Sequence, residues 1–136
     1  MLTSIEPITR EWYDYLKKDK LMGLKCKKCG RIMFPPVPVC GSCYSTDMEW
    51  AEIDPEGELE SFNMNSTGIF PYTDAVTLSG YLRMKDGTIF VSQIIGYGPD
   101  DQEKLFDMLK SGTVKARLVP AKLNDDFNYP FIEIEN

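Results

Sequence analysis

Alternating apolar and polar residues run through much of the second half of the chain, as in strands with one buried face. Strand signals cover residues 57–64, 76–84 and 88–95, and the last two flank the turn Lys85-Asp86-Gly87. Strict alternation returns at residues 114–118 and 132–135. The pattern therefore predicts five short strands in the C-terminal part of the chain.

Two amphipathic helices are predicted on either side of these first strands. In the first, Thr9 is the predicted N-cap, and Trp12, Tyr15 and Leu16 share one face of a helix that ends near Lys20. That face either covers the chain's own barrel or docks on a partner protein, and the sequence leaves both open.

The second predicted helix follows the third strand, where Asp100 or Asp101 is placed to cap it and Ser111-Gly112 ends it. Its apolar face is formed by Leu105, Phe106, Met108 and Leu109. Five short strands with one late helix predict a mostly β fold that ends in a five-stranded OB-fold barrel, with a small sandwich as the competing architecture.

The four cysteines of the chain form two CxxC pairs, Cys26–Cys29 and Cys40–Cys43, between the first helix and the strands. Two such pairs on separate turns can bring four sulfur atoms to the corners of a tetrahedron around zinc. Because such a site has no open position, the metal is predicted to be structural. The alternative is that the four cysteines form two disulfide bonds. The first CxxC turn also resembles that of rubredoxin, so iron is a second candidate for the metal.

Charge is unevenly distributed along a chain of 136 residues with a net charge of -6. Residues 24–44 contain only basic charges, and residues 45–74 contain only acidic ones. The acidic stretch would repel a phosphate backbone, which disfavours nucleic acid as the ligand. With no apolar run long enough to span a bilayer and no signal-peptide pattern, we expect a cytoplasmic protein.

We predict that this chain does not catalyse a reaction by itself. The sequence contains no histidine, the usual general base at neutral pH. All four cysteines are assigned to the metal, so none is left as a nucleophile.

The order of these features resembles a known family. A short Trp-containing helix precedes CxxC-Gly, Phe34-Pro35-Pro36, the second CxxC, Glu49-Trp50 and a first strand that contains Gly57. This combination resembles the zinc-ribbon/OB-fold proteins that accompany thiolases and related acyl-CoA enzymes. Two features depart from the family's pattern. Val37-Pro38 stands where a basic residue is common, and residues 100–112 are more helical than the usual glycine turn.

The resemblance implies an N-terminal helix (1–23), a rubredoxin-like ribbon with structural zinc (24–50) and an OB-fold domain (51–136). It also implies a non-catalytic accessory subunit that binds a thiolase-superfamily enzyme and helps to hold or pass its CoA ester. For contacts to CoA or acyl-CoA we expect the basic Lys27 and Lys28 and the aromatic Phe70 and Tyr72. The alternative function is nucleic-acid binding, which both zinc ribbons and OB folds perform in other proteins.

Overall fold

The computed structural model describes residues 7–65 and 77–135, which form two antiparallel sheets and two helices. The first part contains α1 (Pro7–Lys17), β1 (Met22–Cys26), β2 (Ile32–Met33) and β3 (Met48–Glu52). The second part contains β4 (Glu56–Asn65), β5 (Thr77–Met84), β6 (Ile89–Gln93), α2 (Gln102–Ser111), β7 (Val114–Lys122) and β8 (Asn128–Ile134). Within the described residues, no helix is long and apolar enough to span a membrane.

The smaller sheet is a three-stranded ribbon with the strand order β2-β1-β3. Leu24 in the central strand pairs with Met33 on one side and with Trp50 on the other. Gly23 is needed there, because a Cβ at this position would approach the Met33 carbonyl oxygen to 2.7 Å. The strands hold the two cysteine turns at one end of the ribbon.

The larger sheet has the strand order β6-β5-β4-β7-β8 and curls until its two edges meet. A parallel bridge joins Ile94 to Ile132, and the Ile95 N–H donates to the Ile132 carbonyl at 2.9 Å. The buried Ser92 hydroxyl adds a bond of 2.6 Å to the Pro130 carbonyl. One curled sheet that closes in this way is a half-barrel of the OB type, so the predicted fold class is confirmed and the sandwich is not.

The first helix differs from its prediction at both ends. It begins at Pro7, so Thr9 lies inside it and is not its N-cap. Proline suits a first helical turn because its fixed φ is helical and its missing N–H needs no partner there. The helix ends at Lys17 rather than near Lys20, because Asp19 adopts a left-handed φ of 59° and the Lys20 N–H turns back to the Tyr15 carbonyl.

The second helix lies where it was predicted, but its apolar face is narrower. Leu105 is fully buried, while Phe106 is 55% exposed beneath the Lys110 ammonium. Asp101 is the N-cap residue, as expected, although its side chain makes no capping bond to α2. Its carboxylate instead accepts a hydrogen bond of 2.7 Å from the Gly98 N–H, which fixes the preceding turn.

An aromatic cluster joins the first helix, the ribbon and the barrel into one hydrophobic core. Trp12 packs edge-on against Phe34 of the ribbon and Tyr129 of β8, with ring centres 5.8 Å and 6.0 Å apart, respectively. Phe90 of β6 contacts Phe34 at 5.1 Å from the barrel side. Trp12 is only 4% exposed. Of the two possibilities for the α1 face, the structure therefore supports packing against the chain itself, at least for Trp12 and Leu16.

Candidate metal centre and neighbouring surfaces

The four cysteine sulfur atoms converge at the end of the ribbon, as the spacing predicts. They all lie within 4.8 Å of one another, and the pairs Cys26–Cys43 and Cys29–Cys40 are each separated by 3.5 Å. A tetrahedron with zinc–sulfur bonds of ~2.3 Å has edges of about 3.8 Å, so the geometry suits one ion. The cysteines are free thiols at separations far beyond the ~2.05 Å of a disulfide bond.

Both cysteine turns have the same backbone conformation. The N–H of the residue after the second cysteine donates to the carbonyl of the first, as Gly30 does to Cys26 at 2.9 Å and Tyr44 to Cys40 at 3.0 Å. The donating residue has a positive φ in both turns, 81° at Gly30 and 61° at Tyr44. The Arg31 guanidinium then links the turns by donating to the Ser42 hydroxyl at 2.7 Å. We call these turns the first knuckle (26–30) and the second knuckle (40–44).

The knuckles favour thiolates at their first cysteines. The Cys29 N–H points at the Cys26 sulfur and, with other groups, lowers the pKa of Cys26 to about 6. The N–H of Cys43, followed by that of Ser42, likewise lowers the pKa of Cys40. Four neighbouring thiolates repel one another, however, so full ionisation needs a cation. A divalent metal supplies that charge, and its uptake releases the remaining thiol protons.

The cysteines differ in burial, with Cys26 and Cys40 fully buried and Cys29 and Cys43 exposed. The site therefore lies at the surface of the ribbon, yet all four coordination positions would be taken by protein sulfur. Zinc held in this way would stabilise the fold and leave no position for water or substrate. The chemistry of the donor set thus fits a structural zinc ion.

The two lysines predicted to contact CoA lie on the first knuckle and are exposed. Lys27 already has a partner within the chain, since its side-chain ammonium lies 3.6 Å from the Asp47 carboxylate. The backbone N–H of Lys27 also donates to the backbone carbonyl of Asp47. An exposed ion pair of this kind contributes little and is easily exchanged for another anion. Phe70 and Tyr72, the predicted aromatic contacts, lie outside the described residues.

Acids of the 45–74 stretch form ion pairs with bases from later segments of the chain, and the spacing of the acids along the sequence does not reveal these pairs. Arg83 of β5 donates to Glu60 at 2.5 Å, and Lys85 lies 2.9 Å from Asp54. The hydrogen bond from Lys85 lowers the pKa of Asp54. The acidic stretch is therefore partly neutralised by bases that lie further along the chain.

A groove of about 890 Å³, which sequence reasoning did not find, opens between the segment before α2 and strands β7 and β8. Arg117 lines it but is held by Glu133 through two hydrogen bonds of 2.9 and 3.1 Å. Lys104 also lines it and lies 5.4 Å from the centre of the Tyr97 ring. The mixture of acids and bases from distant segments gives this groove no clear preference for one charge.

The ribbon with four convergent cysteines and the curled sheet behind it define a zinc-ribbon protein with an OB-type barrel. Residues 14–49 match the family model "ChsH2, rubredoxin-like zinc ribbon domain". The predicted resemblance to thiolase-associated zinc-ribbon proteins is confirmed by this match and by the relatives that follow.

Two curated relatives have informative names. The "Benzoylsuccinyl-CoA thiolase subunit BbsA" of Thauera aromatica is 40% identical over 48 residues, which are 35% of this chain and 33% of that subunit. A "DUF35 domain-containing scaffold protein" of Methanothermobacter thermautotrophicus is 26% identical over 69% of this chain and 72% of its own. The chain spans about a third of the length of the curated relatives that it matches first.

One solved structure shares the fold along almost the whole chain. The "Ltp2-ChsH2(DUF35) aldolase" superposes with a TM-score of 0.73 and 20% identity, and the match covers 96% of this chain and 97% of that one. The helix, ribbon and barrel therefore occur together in a known protein of similar extent.

Proposed function

We propose that this chain is a non-catalytic accessory subunit of an acyl-CoA-processing complex with a thiolase-type enzyme. The observation that carries the proposal is the convergence of all four cysteines on one closed structural site. Thiolase chemistry needs an activated cysteine with a nearby base, and this sequence offers neither a spare thiol nor a histidine. The chemistry then belongs to a partner.

The class of partner comes from the relatives. One is named as a thiolase subunit, and others are named as scaffold proteins. The identity with the thiolase subunit reaches 40% over 48 residues. These names support a complex in which the ribbon and barrel assist an enzyme.

Within this complex we propose that the ribbon helps to hold the CoA ester of the partner. CoA carries several phosphate charges, and Lys27 and Lys28 are exposed on a knuckle that a metal ion makes rigid. Phe70 and Tyr72 stay a second proposed contact, for the adenine or pantetheine part of the ligand.

Co-expression with thiolase-type enzymes from the same organism tests the proposal. We expect the two proteins to co-elute, and we expect 3-oxoacyl-CoA turnover by the complex but none by the purified chain. Turnover by the chain alone, persisting after further purification, would show that it is an enzyme. Separate elution of the two proteins at micromolar concentration would contradict the proposed accessory role.

The alternative function is tested with single-stranded oligonucleotides in a mobility-shift assay. Exposed Glu58 and Glu60 on β4 place carboxylates on the barrel surface, so we expect no shift at low salt. A shift that weakens steeply as salt is added would favour nucleic-acid binding instead.

A further inference from the structure

The second knuckle ends on Tyr44, whose backbone conformation is unusual for a tyrosine. Its φ of 61° lies in the left-handed region, where a side chain meets steric strain that glycine avoids. The first knuckle has the same geometry and uses Gly30 at the equivalent position. Glycine at position 44 would therefore allow the same backbone conformation without strain, but the chain has a tyrosine there.

Burial does not offset this strain. Tyr44 is 79% exposed, the most exposed large hydrophobic side chain of the described residues. Its ring stacks on no other aromatic ring in the described part of the chain. Backbone strain without an internal benefit is characteristic of positions that serve a binding function.

The segment that carries Tyr44 is largely apolar and contains no acidic or basic residue. Val37 and Val39 lie just before the second knuckle and are 40% and 42% exposed. The Cys40 N–H donates to the Ser45 carbonyl at 2.9 Å, which brings the chain entering the knuckle beside the chain leaving it. No charged residue occurs from 34 to 46, although 26% of the whole chain is charged. Loss of charge with an exposed aromatic residue is the composition of an interface centre.

We propose that Val37, Val39 and Tyr44 form a docking face for the catalytic subunit of the complex, with Tyr44 as its anchor. This inference rests on the proposed function and assigns the contact to one surface. The partner's complementary surface is an apolar pocket that accepts the tyrosine ring and carries carboxylates on its rim. Those carboxylates would face Lys28 of the adjoining first knuckle and Arg31 directly after it, both of which are exposed.

Charge favours this occupant over two others. A nucleic acid would need several basic residues around the ring, whereas residues 34–46 contain none and Arg31, which reaches the second knuckle at Ser42, is a single base. A second copy of this chain would bring two basic first knuckles together, and like charges at an interface oppose association. The knuckle also fixes the backbone of Tyr44 before binding, through the bond from its N–H to the Cys40 carbonyl, which reduces the entropy lost on docking.

The test is Tyr44→Gly, because this variant separates a structural role from a docking role. Glycine relieves the positive φ, so the metal content should stay unchanged and the melting temperature should not fall. Affinity for the co-expressed thiolase-type subunit, measured by titration calorimetry, should fall by at least roughly ten-fold, as for an anchor residue. Tyr44→Phe keeps the ring and should bind within about three-fold of the wild type.

Val91→Ser is the matched control, since Val91 is 48% exposed on the barrel and far from the knuckles in the sequence. We expect this variant to bind like the wild type. Wild-type affinity in Tyr44→Gly would overturn the docking face while leaving the accessory function intact. An equal loss in Val91→Ser would overturn it too, since the effect would not be specific to the knuckle. A wild-type chain that binds no thiolase-type subunit would instead contradict the proposed function.

Discussion

Trp12 illustrates how much a single residue depends on what surrounds it. Its position on an amphipathic helix is compatible with either a core residue or an interface anchor. In the structure it lies between Phe34 of the ribbon and Tyr129 of the barrel. Its indole N–H has no hydrogen-bond partner among residues 7–65 and 77–135, so its contribution to stability comes from packing.

Trp12→Ala should therefore lower the free energy of unfolding by about 3–5 kcal/mol, because it leaves a cavity at the junction of three elements. Thermal melting measures the loss, and partner binding below the melting temperature should be retained. Trp12→Phe is the control, since it keeps an aromatic ring and removes only an unpaired N–H, and its loss should be clearly smaller. A Trp12→Ala chain that melts like the wild type but no longer binds the enzyme would make Trp12 an interface residue.

Among the elements, the ribbon depends most on metal binding for its stability. Its strand β2 has only two residues, and much of its surface is exposed. An element this small buries too little apolar area to fold alone, so metal binding supplies folding energy. The barrel, in contrast, has its own buried core that includes Leu78, Leu82, Ile94 and Ile132.

The purified chain should contain close to one zinc ion per chain, and Cys40→Ser or a strong chelator should unfold the ribbon before the barrel. The two tryptophans report different places, because Trp50 lies in the ribbon strand β3 and Trp12 lies at the junction between Phe34 of the ribbon and Tyr129 of the barrel. Trp50→Phe and Trp12→Phe variants assign the fluorescence changes. Elemental analysis without zinc would refute the assignment, and a visible charge-transfer band would identify iron instead.

For the whole molecule, the distribution of charge is more informative than its total. The basic first knuckle is exposed at one end, while Arg83 and Lys85 neutralise acids on the barrel. The proposed contact of Lys27 and Lys28 with the phosphates of a CoA ester rests on this exposed basic knuckle.

Reversing both charges in Lys27→Glu/Lys28→Glu should raise the KM of the complex for acyl-CoA several-fold at low salt. kcat should change little, because the charges would hold substrate and transition state alike. The effect should shrink as salt screens the exposed charges. Lys17→Glu/Lys18→Glu is the matched control, since it reverses two adjacent exposed lysines at the end of α1. If the complex stays intact and its KM is unchanged, the two lysines only balance the negative charge of the thiolates and Asp47.

The sequence by itself determined the features that local patterns encode. CxxC spacing identified the four cysteines that converge on the candidate metal site, because each pair needs only one tight turn. Side-chain periodicity located all five barrel strands and both helices. Tertiary structure alone decided the closure of β6 on β8, the burial of Trp12, the exposure of Phe106 and the pairing of Asp54 with Lys85. It also showed that Tyr44 adopts the conformation of Gly30. These features depend on contacts between distant segments or on backbone angles, which residue periodicity does not record.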